Sequence, residues 1–230
     1  MYYYGFDIYY LILVLPAVLI SLYAQFKVKN TFGKYSALKN QRGLTGAQVA
    51  RKILDYNGLT SVMVHPTNGN LTDHYNPSDN TVNLSETVYN STSVAALGVA
   101  AHETGHAIQH AKGYFPLKIR TSIFPIVRIS SSAAVPLALL GFITGLEFLI
   151  NFGIILFSAV VLFQIITLPV EFNASRRALN MMEQYDMLSF DENQNAKKVL
   201  SAAALTYLAS ALTAVANLLR LILLSRNRRR

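Results

Sequence analysis

Four stretches of this chain are apolar almost without interruption. Between them the pattern breaks into short, periodic, more polar pieces. The apolar runs cover about Ile8 to Tyr23, Ile129 to Ile150, Gly153 to Val170 and Ala202 to Leu224. A helix needs roughly 17–25 apolar residues to cross the hydrocarbon core of a bilayer. The first three runs are read as spans. The first lacks a basic leader and a clear cleavage site, and Lys27, Lys29 and Lys34 follow it, so it reads as an uncleaved anchor. Asn151 and Gly153 are read as the turn joining the second and third runs into a helical hairpin. The fourth run carries Asn217 and Arg220. Spanning, interfacial and re-entrant placements stay open for it, with a membrane-packed helix preferred.

The polar pieces carry their own signals. Thr45-Gly46-Ala47-Gln48 has the form of a capping box, and Asn57-Gly58 closes the helix expected from there to about Tyr56. Thr60 to His65 reads as a strand, Pro66 to Asn70 as a turn, Leu71 to Tyr75 as a segment pairing back, and Thr81 to Leu84 as a further short strand. From Ser93 the chain turns alanine-rich. Cap candidates at Asn90 to Ser93 and a stop at Gly113 predict a helix over roughly 93–111.

Inside that helix lies His102-Glu103-Thr104-Gly105-His106. Residues four apart share one helix face, about 6 Å apart along the axis, so both imidazoles can reach one ion. Glu103 is rotated off that stripe, which suits it to handle water rather than to ligate. H-E-x-x-H on a helix is the zinc arrangement of metalloproteases. His110 lies about 12 Å from His102 along the axis, too far for both to share an ion, and no glycine break precedes it. It is read as a nearby or surface group.

Composition narrows the choices. The chain has 230 residues, 52% hydrophobic and 14% charged, with no cysteine. Disulfides and thiolate metal sites are excluded, so a zinc ion must be held by His and carboxylate. The net charge of +8 mostly flanks apolar runs, an anchoring pattern rather than a nucleic-acid surface. Lys27 to Lys52 carries seven basic residues and the first seven positions none. The positive-inside rule then places residues 27 to 120 in the cytoplasm, and a hairpin returns residues 171 to 200 to the same side. A spanning fourth run would put the Arg-rich tail outside, against the rule, so the side of the tail is left open.

A third ligand is expected near the membrane face to which the hairpin returns. Glu171 stands there, at the end of a span and the start of a polar helical stretch, and is the leading candidate. Glu86, Asp73 and Asp186 are the competitors. For a donor to a tetrahedral oxyanion, His74, Tyr75, Arg176 and Arg177 are candidates, and a surface or structural role is preferred for each. His65 reads as a strand end.

Ala100-Ala101-His102-Glu103-Thr104-Gly105-His106-Ala107-Ile108-Gln109-His110 and Leu168-Pro169-Val170-Glu171-Phe172-Asn173-Ala174-Ser175-Arg176-Arg177-Ala178 resemble the YugP-type bacterial membrane zinc metallopeptidases. So do Leu71 to Tyr75 and Leu84 to Asn90, and the likeness covers nearly the whole chain. More distantly it is similar to the HtpX and CAAX prenyl proteases, which are gluzincins. There an E-x-x-x-D helix supplies the third ligand, and its aspartate braces a zinc histidine. The resemblance implies Glu171 as ligand. Ser175 stands at the aspartate position, a departure that brings no charge.

The expected fold is a mainly α membrane protein with a small β-sheet, a zincin-like catalytic core packed on transmembrane helices. Its parts are an N-terminal anchor (1–26), a zincin-like domain (27–120), a transmembrane hairpin (121–170), a helix carrying the third ligand (171–200), and a C-terminal membrane helix with a basic tail (201–230). The expected activity is zinc-dependent endopeptidase action on membrane or membrane-proximal proteins. One Zn2+ per chain is held by His102, His106 and Glu171, and Glu103 is the general base. The setting is a bacterial plasma membrane with the site on the cytoplasmic side. The expected partners are a peptide or membrane-protein substrate and the lipid bilayer, not nucleic acid. The alternative is a non-catalytic, zinc-stabilised membrane scaffold or chaperone-like protein. A transporter fits less well, since the spans hold few ionisable groups beyond Arg128 and Glu147.

Overall fold

The computed structural model describes residues 7–228. A π-helical turn at Tyr10–Val14 runs into α1 (Leu15–Ser36). The order continues with α2 (Gly46–Tyr56), β1 (Met63–Thr67), β2 (His74–Asn76), β3 (Thr81–Ser85), α3 (Glu86–Tyr89), α4 (Val94–Ala111), α5 (Phe115–Thr144), α6 (Glu147–Gln184) and α7 (Phe190–Arg228). The described chain divides into two compact units. One holds residues up to Gln25, Ile119–Leu168 and the stretch from Leu205 onward; the other holds Phe26–Lys118 and Pro169–Ala204.

The first unit is built from apolar helix. Four helices, Tyr10–Ser36, Phe115–Thr144, Glu147–Gln184 and Phe190–Arg228, are long and apolar enough to cross a bilayer. Large side chains such as Leu19, Ile129 and Ile155 stand more than half exposed. Water penalises such surface, whereas lipid does not. The expected turn at Asn151 and Gly153 is not there. The chain reverses between Thr144 and Glu147, where Gly145 takes φ +85° and its N–H closes on the Gly141 carbonyl. Gly153 lies inside α6 instead. A Cβ there would sit 2.7 Å from the Ala134 carbonyl oxygen, so this glycine serves close α5–α6 packing. At the far end of α7, Arg228 donates to the Gly141 and Phe142 carbonyls in the last turn of α5. Arg220 pairs with Asp7, and Ser21 meets Thr213. The fourth run is thus a continuous helix through Asn217 and Arg220. Arg229 and Arg230 of the tail lie outside the described residues.

The second unit packs around α4, which is buried along nearly its whole length. Leu97, Ala101 and Ile108 meet Val49 and Ile53 of α2, Met182 of α6 and Leu200 of α7. Ala96, Ala100 and Ala107 meet Val82 and Leu84 of β3. The capping box at Thr45 and Gln48 starts α2, and the Ser93 hydroxyl accepts from Ala96 N–H to start α4. Each such cap contributes about 1 kcal/mol.

The sheet order is β1-β3-β2, with β1 parallel and β2 antiparallel to β3. Two expectations are corrected here. Pro66 belongs to a strand rather than a turn, because β1 is an edge, where a missing N–H costs nothing. The segment ending at Tyr75 pairs with β3 and not back onto β1. That leaves β2 with one open edge.

Candidate metal centre

α4 supplies two imidazoles from one face. The His102 and His106 rings meet edge to face with centroids 4.8 Å apart. α6 supplies a carboxylate from Glu171, which is only 2% exposed. Among the described residues these three form one group whose donor atoms all lie within 4.8 Å of one another. Nε2 of His102 is 3.2 Å from Nε2 of His106 and 3.2 Å from Oε2 of Glu171. Nε2 of His106 is 3.5 Å from the same carboxylate oxygen. Ligands bound at 2.0–2.1 Å around a tetrahedral zinc ion stand about 3.3 Å apart. The three edges have that size, so the donor set fits zinc in both chemistry and dimensions.

Close approach of the two helices is what allows this. A Cβ on Gly105 would fall 2.8 Å from the Ala174 carbonyl oxygen, so α6 packs backbone to backbone on α4 at the level of the histidines. Polar contacts then brace each ring. His102 Nδ1 lies 3.1 Å from Ser175 Oγ, and His106 Nδ1 lies 3.0 Å from Gln109 Oε1. Burial works against an imidazolium at His106. The hydrogen bond and charge of Glu171 outweigh it, helped by Glu103 and Gln109, and hold the pKa of the ring above its ordinary value.

Glu103 stays out of the triangle. Its Oε2 accepts the Tyr75 backbone N–H at 3.1 Å, so the open edge of β2 fixes this carboxylate. The Tyr75 phenol bonds Asn80 Oδ1 at 2.9 Å and His110 Nδ1 at 2.8 Å. Since Asn80 Oδ1 only accepts, the phenol donates to it and takes the His110 Nδ1 proton. Burial, then the charge of Asp79, raises the phenol pKa and keeps it a donor.

The remaining candidates lie elsewhere. Asp73 accepts from the Ser85 N–H and hydroxyl, Asp186 pairs with Arg42, and Glu86 opens the short helix α3. His74 bonds the Thr72 carbonyl, and Arg177 bonds Asn173. The sequence reading missed Gln109 and the Tyr75 backbone. A glutamine one turn past the second histidine, in an otherwise apolar helix, was the available signal for the first. A main-chain donor leaves no mark in composition, so the second had none.

No solved structure matches the chain. Over 220 residues, 96% of this chain and 98% of the relative, it is 49% identical to the "Putative membrane protease YugP" of Bacillus subtilis (strain 168). A family model described as "Putative neutral zinc metallopeptidase" matches residues 10–226. With two histidines and a glutamate at zinc spacing inside those bounds, the chain belongs to that zinc metallopeptidase family.

Proposed function

We propose that this protein is a membrane-bound zinc endopeptidase of the gluzincin type, with His102, His106 and Glu171 as the metal ligands and Glu103 as general base. One observation carries the reading. Three donors match three corners of a zinc tetrahedron, and a separate carboxylate on the same helix is held beside them by a backbone N–H. A closed structural site has four protein ligands, whereas this group contains three. That supports catalysis over a zinc-stabilised scaffold.

Zinc supplies the Lewis acidity, bringing the pKa of water to about 7 and polarising a peptide carbonyl. Glu103 takes the proton from the attacking water and passes it to the leaving amine. Its Oε2 is anchored by Tyr75 N–H, which leaves Oε1 for proton transfer. Glu171 and the braced imidazoles hold the ion and do not exchange protons with substrate.

With α5 and α6 read as a membrane hairpin, residues 27–118 and 169–204 would share one side of the bilayer. Their many Lys and Arg residues favour the cytoplasm for that side. Glu171 follows an apolar run on its own helix by a few residues, so the substrates that fit are membrane or membrane-proximal proteins. The test is Glu103→Gln in the full-length protein. Zinc stoichiometry is expected to be unchanged and proteolysis to fall by about 10²–10⁴-fold. Undiminished proteolysis in that variant would overturn the mechanism.

A further inference from the structure

Gln109 touches no donor of the triangle's metal-facing side, yet it is fully buried on α4. A buried amide is tolerated when each of its polar atoms is paired, and here each one is. Nε2 donates to the Val170 carbonyl at 2.8 Å and to Asn173 Oδ1 at 2.9 Å, and Oε1 meets His106 Nδ1 at 3.0 Å. Asn173 Oδ1 also takes the Arg177 Nε–H at 2.7 Å, one turn along α6.

The donor and acceptor roles in this chain are forced. A guanidinium only donates, so Asn173 must present its oxygen to Arg177. That oxygen and the Val170 carbonyl only accept, so Gln109 must present its NH2 to them. Its oxygen then faces His106 and can only accept. The neutral His106 ring therefore carries its proton on Nδ1 and keeps a lone pair on Nε2, the atom that faces His102 and Glu171. Val170 immediately precedes Glu171. The same amide thus fixes the tautomer of one ligand and ties down the backbone that carries another.

We infer that Gln109 is the positioning residue of the metal centre, setting His106 for coordination through an amide that Asn173 and Arg177 hold in orientation. This rests on the reading that the triangle holds a metal. Ring orientation and tautomer are general determinants of histidine ligation, and losing such a partner costs about 10–100-fold in metal affinity.

The test uses full-length protein in detergent. Zinc affinity is measured by chelator competition, the ligand field by the visible spectrum of the Co2+-loaded form, and the fold by thermal melting without metal. Gln109→Met is expected to weaken zinc binding about 10–100-fold and to alter the cobalt spectrum. Asn173→Ala and Arg177→Ala shift both readouts in the same direction by less, and Arg177→Lys, which can still donate to Asn173, restores them. A merely structural amide would change the melting temperature and leave affinity and spectrum alone. If Gln109→Met does not fold, Asn173→Ala, at a partly exposed position, decides. Affinity within twofold of the parent and an unaltered cobalt spectrum in the folded variants would overturn the inference while leaving the metal centre standing. Failure of the parent protein to bind zinc, or full retention by His106→Ala, would instead overturn the metal-centre reading and this inference with it.

Discussion

α4 and α6 each contribute to the donor triangle, but they do so by different physics. α4 carries its share locally. The Ser93 cap, an alanine-rich first half and two histidines one turn apart fix both rings relative to each other within a single hydrogen-bonded helix. α6 carries its share through packing alone. Glu171 is placed by the contact of Ala174 with Gly105 and by the bond from Gln109 to Val170. A local arrangement survives most changes elsewhere. A packed arrangement depends on a few tenths of an ångström at particular atoms.

The largest expected effect comes from removing the packed ligand itself. Glu171→Ala leaves two imidazoles and no carboxylate ligand, and stoichiometric zinc should be lost on dialysis, as read by elemental analysis. Zinc retained one per chain would remove Glu171 from the ligand set. His106→Ala should do the same from the α4 side. A large difference between the two variants would show which arm dominates.

Next in size is the contact that sets the spacing. Gly105→Ala drives a methyl group against the Ala174 carbonyl oxygen, backbone that cannot swing aside. The expected cost is about 1–3 kcal/mol in stability, together with weaker zinc binding as α6 is pushed from α4. Gly98 is the control on the same helix. Its added Cβ would meet Ala196 Cβ at 3.5 Å, an ordinary contact. Gly98→Ala should be neutral or stabilising by up to about 1 kcal/mol through helix propensity. Equal melting temperatures for the two variants would remove the backbone contact from the account.

These contrasts explain what could be read in the chain itself. Hydropathy reports length and solvent preference, so the four long helices were legible. It does not report which glycine turns and which packs, so the pattern points to Asn151 and Gly153 for a turn that Gly145 makes. Pro66 signals a turn by propensity, but an edge strand tolerates it. The spacing of His102 and His106 is a property of one helix and is visible in five letters. Glu171 is 65 residues beyond His106, and the residues alone left Glu86, Asp73 and Asp186 in competition with it. Gly105 acts through α6 and Gln109 is oriented by it, a partner the local sequence does not name.

Acidity probes the same pair of arms in a graded way. In metal-free protein the contact with Glu171 raises the His106 pKa. Its contribution to stability is therefore fully present below the unfolded histidine value of about 6.5 and is lost as pH rises through the raised value. Zinc requires the neutral ring, so loading releases that proton, and affinity should rise by up to tenfold per pH unit across the same window. Melting curves should thus fall with rising pH across that window without zinc and run flat with zinc, where the gain in affinity offsets the fall. Parallel slopes would dissociate His106 from the metal.

The smallest expected effect lies at Ser175, whose hydroxyl meets His102 Nδ1. The hydrogen bond is neutral, and its loss in Ser175→Ala should cost about 0.5–1.5 kcal/mol, a few-fold to tenfold in zinc affinity. Ser175→Asp is the sharper variant. A carboxylate on Nδ1 makes the imidazole a stronger electron donor and should tighten zinc binding. It also adds one negative charge beside Glu171 and Glu103, which raises the pKa of water at the ion and should move the rising limb of the proteolysis profile to higher pH. The two variants therefore separate two roles for the serine. If Ser175→Ala weakens binding and Ser175→Asp strengthens it with an alkaline shift, the hydroxyl serves as an uncharged brace that keeps the ion strongly acidic. If neither affinity nor profile moves, His102 is held by α4 alone, and the local arm needs nothing from its packed partner beyond Glu171.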